Sequence, residues 1–291
     1  MDHNAFIVTP GKKIRLKDFD TAYTAGIKDK KQGREVLLED VSDLAKAQSL
    51  LWANAKNSLL IVLQAMDAAG KDGAIKHVMS GVNPQGVDVY SFKAPTTEEL
   101  LHHFLWRPMV KVPARGRIAI FNRSYYEEVL VVRVHPEFLE KQYLPSRERN
   151  ASGCLKDLWG IRYEKINQFE EVTAHNDVTI IKFFLNVSKE EQRERFVERL
   201  NNAEKNWKFS GADLRERGYW DEYQEAYEDM LNATSTTVAP WYIIPADKKW
   251  FARAAIADII TSRIRELDLQ SPQPTEEQRV DLEKARQELG I

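Results

Sequence analysis

The sequence predicts an α/β fold, a parallel sheet of about five strands held between two layers of helices. Three observations carry that expectation. Short, unbroken apolar runs bounded by turn formers recur along the chain, as strands buried on both faces require. Helical patterns separate these runs, and regular strand–helix alternation is the mark of a doubly wound sheet. The first run also opens straight into a turn containing Gly and Lys, followed by a helix, and such junctions are where open α/β sheets place ligands.

Taken in order, residues 1 to 39 are polar and basic, with Lys12, Lys13, Arg15 and Lys17 followed by Lys28, Lys30, Lys31 and Arg34. They read as a solvated arm wrapped over the domain, or as an arm that helps to hold an anion. Leu38, Val41, Leu44, Ala45, Leu51 and Trp52 fall near helical spacing and predict a helix over 38–57. Strands are expected at 58–63, 87–92, 117–121, 178–187 and 241–246. Helices are expected at 70–82, 97–106, 124–135, 155–176, 188–202, 219–233 and 248–267. The Ser271-Pro272-Gln273-Pro274 stretch ends the pattern, and a charged tail helix over 275–289 follows, suited to docking on a second subunit. With no linker inside 40–269, the chain reads as one domain with an arm (1–39) and a tail (270–291).

Composition narrows the function classes. Among 291 residues, 42 Lys and Arg nearly cancel 44 Asp and Glu, leaving a net charge of −2. That balance argues against a protein that coats nucleic acid by bulk attraction, while leaving room for a local basic channel. No apolar run is long enough to span a bilayer, and the N-terminus lacks a signal-peptide pattern. A single cysteine, Cys154, cannot form an internal disulfide, which favours the reducing cytoplasm.

The chemistry concentrates in three segments. The first strand leads into Ala65-Met66-Asp67-Ala68-Ala69-Gly70-Lys71-Asp72-Gly73, and a helix begins there. A loop between a parallel strand and a helix aims backbone N–H groups and the positive helix end at an anion. Gly70 and Gly73 permit close approach, Lys71 supplies a point charge, and Ala68, Ala69 and Asp72 complete the cradle. The match to GxxxxGK[ST] is partial, because Ala65 replaces the first glycine and Asp72 replaces the hydroxyl residue. Asp67, beside a bound phosphate, makes sense as a Mg²⁺ ligand or as an acceptor of a proton; otherwise it caps the turn.

The third strand ends in Asn122-Arg123-Ser124-Tyr125-Tyr126-Glu127-Glu128. Arg123 reads as a phosphate clamp and Glu127 as the metal-side carboxylate, with Glu128 as the alternative. Equally, Ser124 caps the next helix and the Glu pair complements its dipole. Asn122, Tyr125 and Glu128 are candidate nucleotide contacts; Trp207 and Phe209 are alternative partners for a base. Lys76, Lys93 and Arg133 are further candidate phosphate contacts. After the fourth strand, Ser188 and Glu191 form a capping-box pattern on a helix carrying Arg193, Arg195 and Arg199, which leads to Lys205, Trp207 and Lys208. Basic groups at that position suit a mobile lid over about 193–223, with Arg193 and Lys208 reaching the phosphates.

These blocks resemble the polyphosphate kinase 2 family. The loop 66–73, the Asn122–Glu127 block and Trp207…Trp220-Asp221…Tyr223 carry the resemblance. Asn83-Pro84-Gln85-Gly86, Ser91-Phe92-Lys93-Ala94-Pro95, Phe104-Leu105-Trp106-Arg107, Ala239-Pro240-Trp241 and Asp247-Lys248-Lys249 with Ala252-Arg253 extend it. It spans about residues 40–268. The resemblance implies a P-loop kinase fold like that of thymidylate kinase, with a helical lid. It implies Mg²⁺-dependent (or Mn²⁺-dependent) phosphoryl transfer between inorganic polyphosphate and adenine or guanine nucleotides, and a homo-oligomer. Asp67 and Lys71 then become the catalytic loop residues, and Arg123 a phosphate contact. Asn122, where many members have Asp, together with Glu127 resembles the class III subgroup, which phosphorylates both AMP and ADP. An ATP-dependent nucleoside monophosphate kinase and a non-catalytic nucleotide switch are the alternatives.

Overall fold

The computed structural model describes residues 1–142, 144, 155–204 and 206–291, without the side chains of 155–157 and 208. Cys154 and Lys205 lie outside the described residues. Five strands form one parallel sheet: β1 (Ser58–Ala65), β2 (Val87–Ser91), β3 (Ile118–Asn122), β4 (Val178–Asn186) and β5 (Trp241–Pro245), in the order β2-β3-β1-β4-β5. Every residue of β1 is buried, so both faces of the sheet are covered, which is why its sequence is apolar without alternation. The chain runs from β1 outward through β2 to β3, then crosses to β4 on the other side of β1. The connection therefore reverses direction beside β1, where open α/β sheets leave a crevice at the strand ends.

One helical layer contains α1 (Lys30–Asn54), α2 (Lys71–Val78) and, after β5, a long helix over Lys249–Arg265, which pack together. Asp29 caps α1 by accepting from the Gln32 N–H at 2.9 Å, so the helix starts eight residues before the expected Leu38. Gly33 lets it lie against the next layer member, since a Cβ there would sit 2.3 Å from the Trp250 ring. The second layer contains α5 (Val131–Val134), α6 (Leu155–Ala174) and α9 (Trp220–Thr234), while α7 (Lys189–Asn201) lies against the loop after β1 and α8 (Gly211–Glu216) follows it. Here α3 (Thr97–Leu100) and α4 (Trp106–Met109) are the short helices between β2 and β3, α10 is Lys249–Arg265, and α11 is Glu276–Leu289. The single helices expected over 97–106 and 124–135 are instead broken; the second is a 3-10 turn, Tyr125–Val129, followed by α5.

The arm is docked. Phe6 and Val8 exchange backbone hydrogen bonds with Trp241 and Ile243 of β5, and Phe6, Val8 and Leu16 are buried. Its antiparallel pairing covers what would otherwise be an open sheet edge. The arm's lysines stay on the surface, and none of them lines the cavity described below. The tail helix α11 is exposed along its whole length. No described helix is long and apolar enough to cross a membrane.

Candidate active site

At the carboxyl end of β1 the chain turns through Met66–Gly70 into α2. Gly70 takes φ of +111°, a value that side chains resist, and Ala68 and Arg123 adopt φ of +62° and +61° although they carry side chains. The left-handed region costs roughly 1–2 kcal/mol for such residues, and it is tolerated here because neighbouring bonds fix the backbone. The Arg123 N–H donates to the Leu63 carbonyl at 3.1 Å. From α7, Gln192 Nε2 donates to the Asp67 carbonyl at 2.9 Å, and Arg195 Nη1 donates to the carbonyls of Ala68 and Ala69 at 2.9 and 2.6 Å. Three successive carbonyls are thus turned toward α7.

A cavity of about 690 Å³ opens over this loop. It is lined by Asp67, Ala68, Ala69, Gly70, Lys71, Asp72 and Gly73, by Lys93, Asn122 and Arg123, and by Arg195, Arg199, Lys249 and Arg253 from the two flanking helices. Seven cationic side chains meet four acidic ones, Asp67, Asp72, Glu198 and Asp213. Burial pushes the Lys249 and Arg253 pKa values down, and the Arg195 charge adds to it. The Lys71 ammonium bonds to the Ala65 carbonyl at 2.7 Å; burial lowers its pKa while the Asp67 carboxylate raises it. The Arg123 Nη2 donates to Asp67 Oδ1 at 2.8 Å, and Asn122 Nδ2 to Asp72 Oδ1 at 2.8 Å.

A second cavity, of about 280 Å³, shares Phe92, Lys93 and Arg123 with the first. Its walls are Ala94, Pro95, Leu100, Phe104, Val131, Val132 and Phe138, with Ser124, Glu127, Glu128, Arg107, Lys141 and Gln142 as polar groups. Glu127 sits where the cavities meet. Burial raises its pKa, Arg123 and Lys71 lower it, and the Asp67 carboxylate raises it again.

The expected site residues divide. Asp67, Ala68, Ala69, Gly70, Lys71, Asp72, Gly73, Lys93, Asn122 and Arg123 line the larger cavity, and Glu127 the smaller. Five others are used differently. Arg193 is exposed on α7 and outside the cavity, because residues two positions apart on a helix point about 200° apart and Arg195 and Arg199 take the inner face. Lys76 is exposed in the last turn of α2, far from the helix end that faces the loop. Arg133 is committed to the Tyr163 hydroxyl at 3.0 Å and Asp229 at 2.6 Å. Tyr125 borders the smaller cavity, but it is 2% exposed and donates its hydroxyl to the buried Glu170 at 2.7 Å, which leaves little of its ring open to a base. Glu128 borders the smaller cavity but is held by Arg162 and Gln142 at 3.2 and 2.7 Å. The Lys208 side chain lies outside the described residues. The capping box at Ser188 forms only in part: Ser188 Oγ accepts from the Glu191 N–H, while the Glu191 carboxylate holds Arg195 at 2.7 Å.

Lys249 and Arg253 were not among the expected site residues. They lie four apart on α10, just past the carboxyl end of β5, so the strand-end rule applied to the last strand finds them. Arg199 pairs with Asp213 across to α8 at 3.5 Å.

Comparison with known proteins agrees with this geometry. The family model described as Polyphosphate kinase 2 matches residues 27–272. The chain is 46% identical to an ADP-polyphosphate phosphotransferase of Rhodopseudomonas palustris, over 98% of this chain and 97% of the relative. It is also 46% identical to an AMP/ADP-polyphosphate phosphotransferase of Meiothermus ruber, over 92% and 94%. The crystal structure of polyphosphate kinase 2 from Arthrobacter aurescens superposes with a TM-score of 0.83 at 39% identity, covering 92% of this chain and 90% of that one. The chain belongs to the polyphosphate kinase 2 family.

Proposed function

We propose that the protein transfers the terminal phosphoryl group of inorganic polyphosphate to AMP and to ADP. The observation that carries this reading is the pairing of two cavities of unlike chemistry across one wall. A polyanion chain fits the larger, cationic cavity, with its end on the loop 67–73 and the N-terminus of α2. A nucleoside fits the smaller, largely apolar one, so that its terminal phosphate oxygen meets the chain end beside Arg123. That oxygen attacks the terminal phosphorus, the bridging P–O bond breaks, and the chain leaves one phosphate shorter with the bridging oxygen on its new end. Little covalent help is needed from the protein; positioning and charge dominate.

Lys71 exchanges its loop carbonyl for phosphate oxygens as the chain enters. Arg123 holds Asp67 in place and neutralises charge on the transferred group. Family membership implies a divalent cation, and the residues present fit one. Asp67 and Glu127 are close enough to repel each other, and beside them the Gln64 amide oxygen is buried without a hydrogen-bond partner. Mg²⁺ or Mn²⁺ held by Asp67 and Glu127 would supply charge neutralisation at the phosphates, and Mg²⁺ typically needs only one or two carboxylates besides substrate oxygens. Asn122, with Glu127 following, supports the use of both AMP and ADP.

Protein, Mg²⁺, polyphosphate and ADP, mixed without ATP, should produce ATP and shorten the polyphosphate. AMP in a parallel tube should yield ADP and then ATP. Polyphosphate left intact while two ADP are converted to ATP and AMP would instead make the protein an ATP-dependent nucleoside monophosphate kinase.

A further inference from the structure

We propose that Gln192 is a positioning residue for the transfer: it aims the Asp67–Ala68 peptide and ties that aim to the segment returning from α8. Gln192 is 1% exposed, in the first turn of α7, and both ends of its amide are engaged. Its Nε2 donates to the Asp67 carbonyl at 2.9 Å, and its Oε1 accepts from Arg217 Nη1 at 2.8 Å. The amide orientation is dictated by chemistry, since a carbonyl only accepts and a guanidinium only donates. Arg217 also donates to the Lys189 carbonyl at 2.7 Å and opens the 3-10 turn Arg217–Tyr219 that follows α8.

The consequence follows from peptide geometry. C=O and N–H of a trans peptide point in opposite directions, so holding the Asp67 carbonyl on Gln192 also fixes the direction of the Ala68 N–H, in the loop that lines the cavity. Asp67 is then fixed at both ends, its carbonyl by Gln192 and its carboxylate by Arg123. The strained φ of Ala68, +62°, needs such restraint. Arg195 restrains the next two carbonyls, but its remaining donors go to Glu191 on the same helix and to the carbonyls of Ala246 and Asp247, just past β5. Gln192 differs because its second partner, Arg217, belongs to the segment that α8 and its Asp213 would carry along in any closing movement.

The inference rests on the proposed phosphoryl transfer, so wild-type turnover with polyphosphate and ADP is measured first; its absence would overturn both, whereas the variants that follow test this inference alone. Gln192→Met keeps the size and loses both bonds. It should lower kcat about tenfold, which is about 1.4 kcal/mol, with both KM values within about twofold and an unchanged melting temperature. Gln192→Glu keeps an acceptor for Arg217 but no donor for Asp67, and should lose as much kcat as Gln192→Met. Arg217→Met should lower kcat by a smaller factor, and the double variant Gln192→Met/Arg217→Met should be no worse than Gln192→Met. Full kcat in Gln192→Glu, a loss confined to KM, or independent losses in the double variant would overturn the proposal. If Gln192→Met does not melt cooperatively, Gln192→Glu and Arg217→Met, read by the same split of kcat and KM, decide it.

Discussion

The larger cavity and the smaller one share Phe92, Lys93 and Arg123, yet their remaining walls are opposites. The larger gathers Lys71, Arg195, Arg199, Lys249 and Arg253 around a loop of backbone, and burial with like charge presses the Lys249 and Arg253 pKa values down. Cations held this way are costly in the free protein and are relieved by an anion. The smaller cavity spends its surface on Phe104, Phe138, Pro95 and Val131, which suit a planar, uncharged ring system. The difference teaches where recognition and chemistry would separate under the proposed function: cations and loop backbone surround one cavity, apolar side chains the other, and Arg123 with Glu127 stands at the border.

Damage at the border, or at the loop lysine on which the chain end would rest, should therefore be largest. Lys71→Ala or Glu127→Gln should lower kcat by ~10²–10³, the scale of losing one preorganised charge in a transfer site, as read in the polyphosphate-plus-ADP assay. Near-normal turnover of Lys71→Ala would remove the loop from the mechanism. Glu127 also predicts a pH effect. Burial raises its pKa in the metal-free protein, so protons compete with the cation there, and the Mg²⁺ needed for half-maximal kcat should rise as pH falls.

Effects confined to one cavity should be intermediate. Arg253→Ala should raise the KM for polyphosphate about tenfold, as expected for a charged hydrogen bond worth about 1.5 kcal/mol, and the rise should shrink at high salt. Arg193→Ala and Lys76→Ala, exposed and outside both cavities, should change either KM by less than about twofold; a tenfold rise in polyphosphate KM would return them to the site.

The smallest effect concerns stability. Asp40 is raised to about 7 by burial and by the nearby Asp258 and Glu39 carboxylates, and its Oδ2 is buried without a hydrogen bond. The folded state then binds more protons than the unfolded one between pH ~4 and ~7. Stability from this group is therefore present at low pH and lost as pH rises through that window. Asp40→Asn should raise the melting temperature at pH 8 by a few degrees and leave it little changed at pH 4; the reverse order would contradict the sign.

Much of this was legible in the sequence. The five strands declared themselves because parallel strands buried on both faces must be unbroken apolar runs, and the loop 67–73 did so because a strand–turn–helix junction fixes which groups face outward. The segment after β3 was harder to read. Helical spacing was expected from Ser124, but the 3-10 turn Tyr125–Val129 sends Tyr125 and Tyr126 to the buried Glu170–Lys182 pair, and Glu128 to Arg162. Those partners lie 34 to 56 residues away, so no local pattern announces them. On α7 the inward face is set by Gln192 and Phe196, which puts Arg195 in the cavity and Arg193 outside it, and composition does not show that face. The arm's basic surface concealed Phe6, Val8 and Leu16, whose partner strand is the last in the chain.

The most direct test of the two-cavity division is a crossed measurement of KM. Arg253→Ala lines the larger cavity and Phe138→Ala the smaller, and Phe138 is 39% exposed, so its removal should spare the fold. With polyphosphate and ADP each varied in turn, Arg253→Ala should raise the polyphosphate KM about tenfold and leave the ADP KM within about twofold. Phe138→Ala should do the opposite, at about fivefold, because part of the apolar wall is then missing. If Phe138→Ala moved the polyphosphate KM, or Arg253→Ala moved the ADP KM alone, the assignment of substrates to cavities would be contradicted.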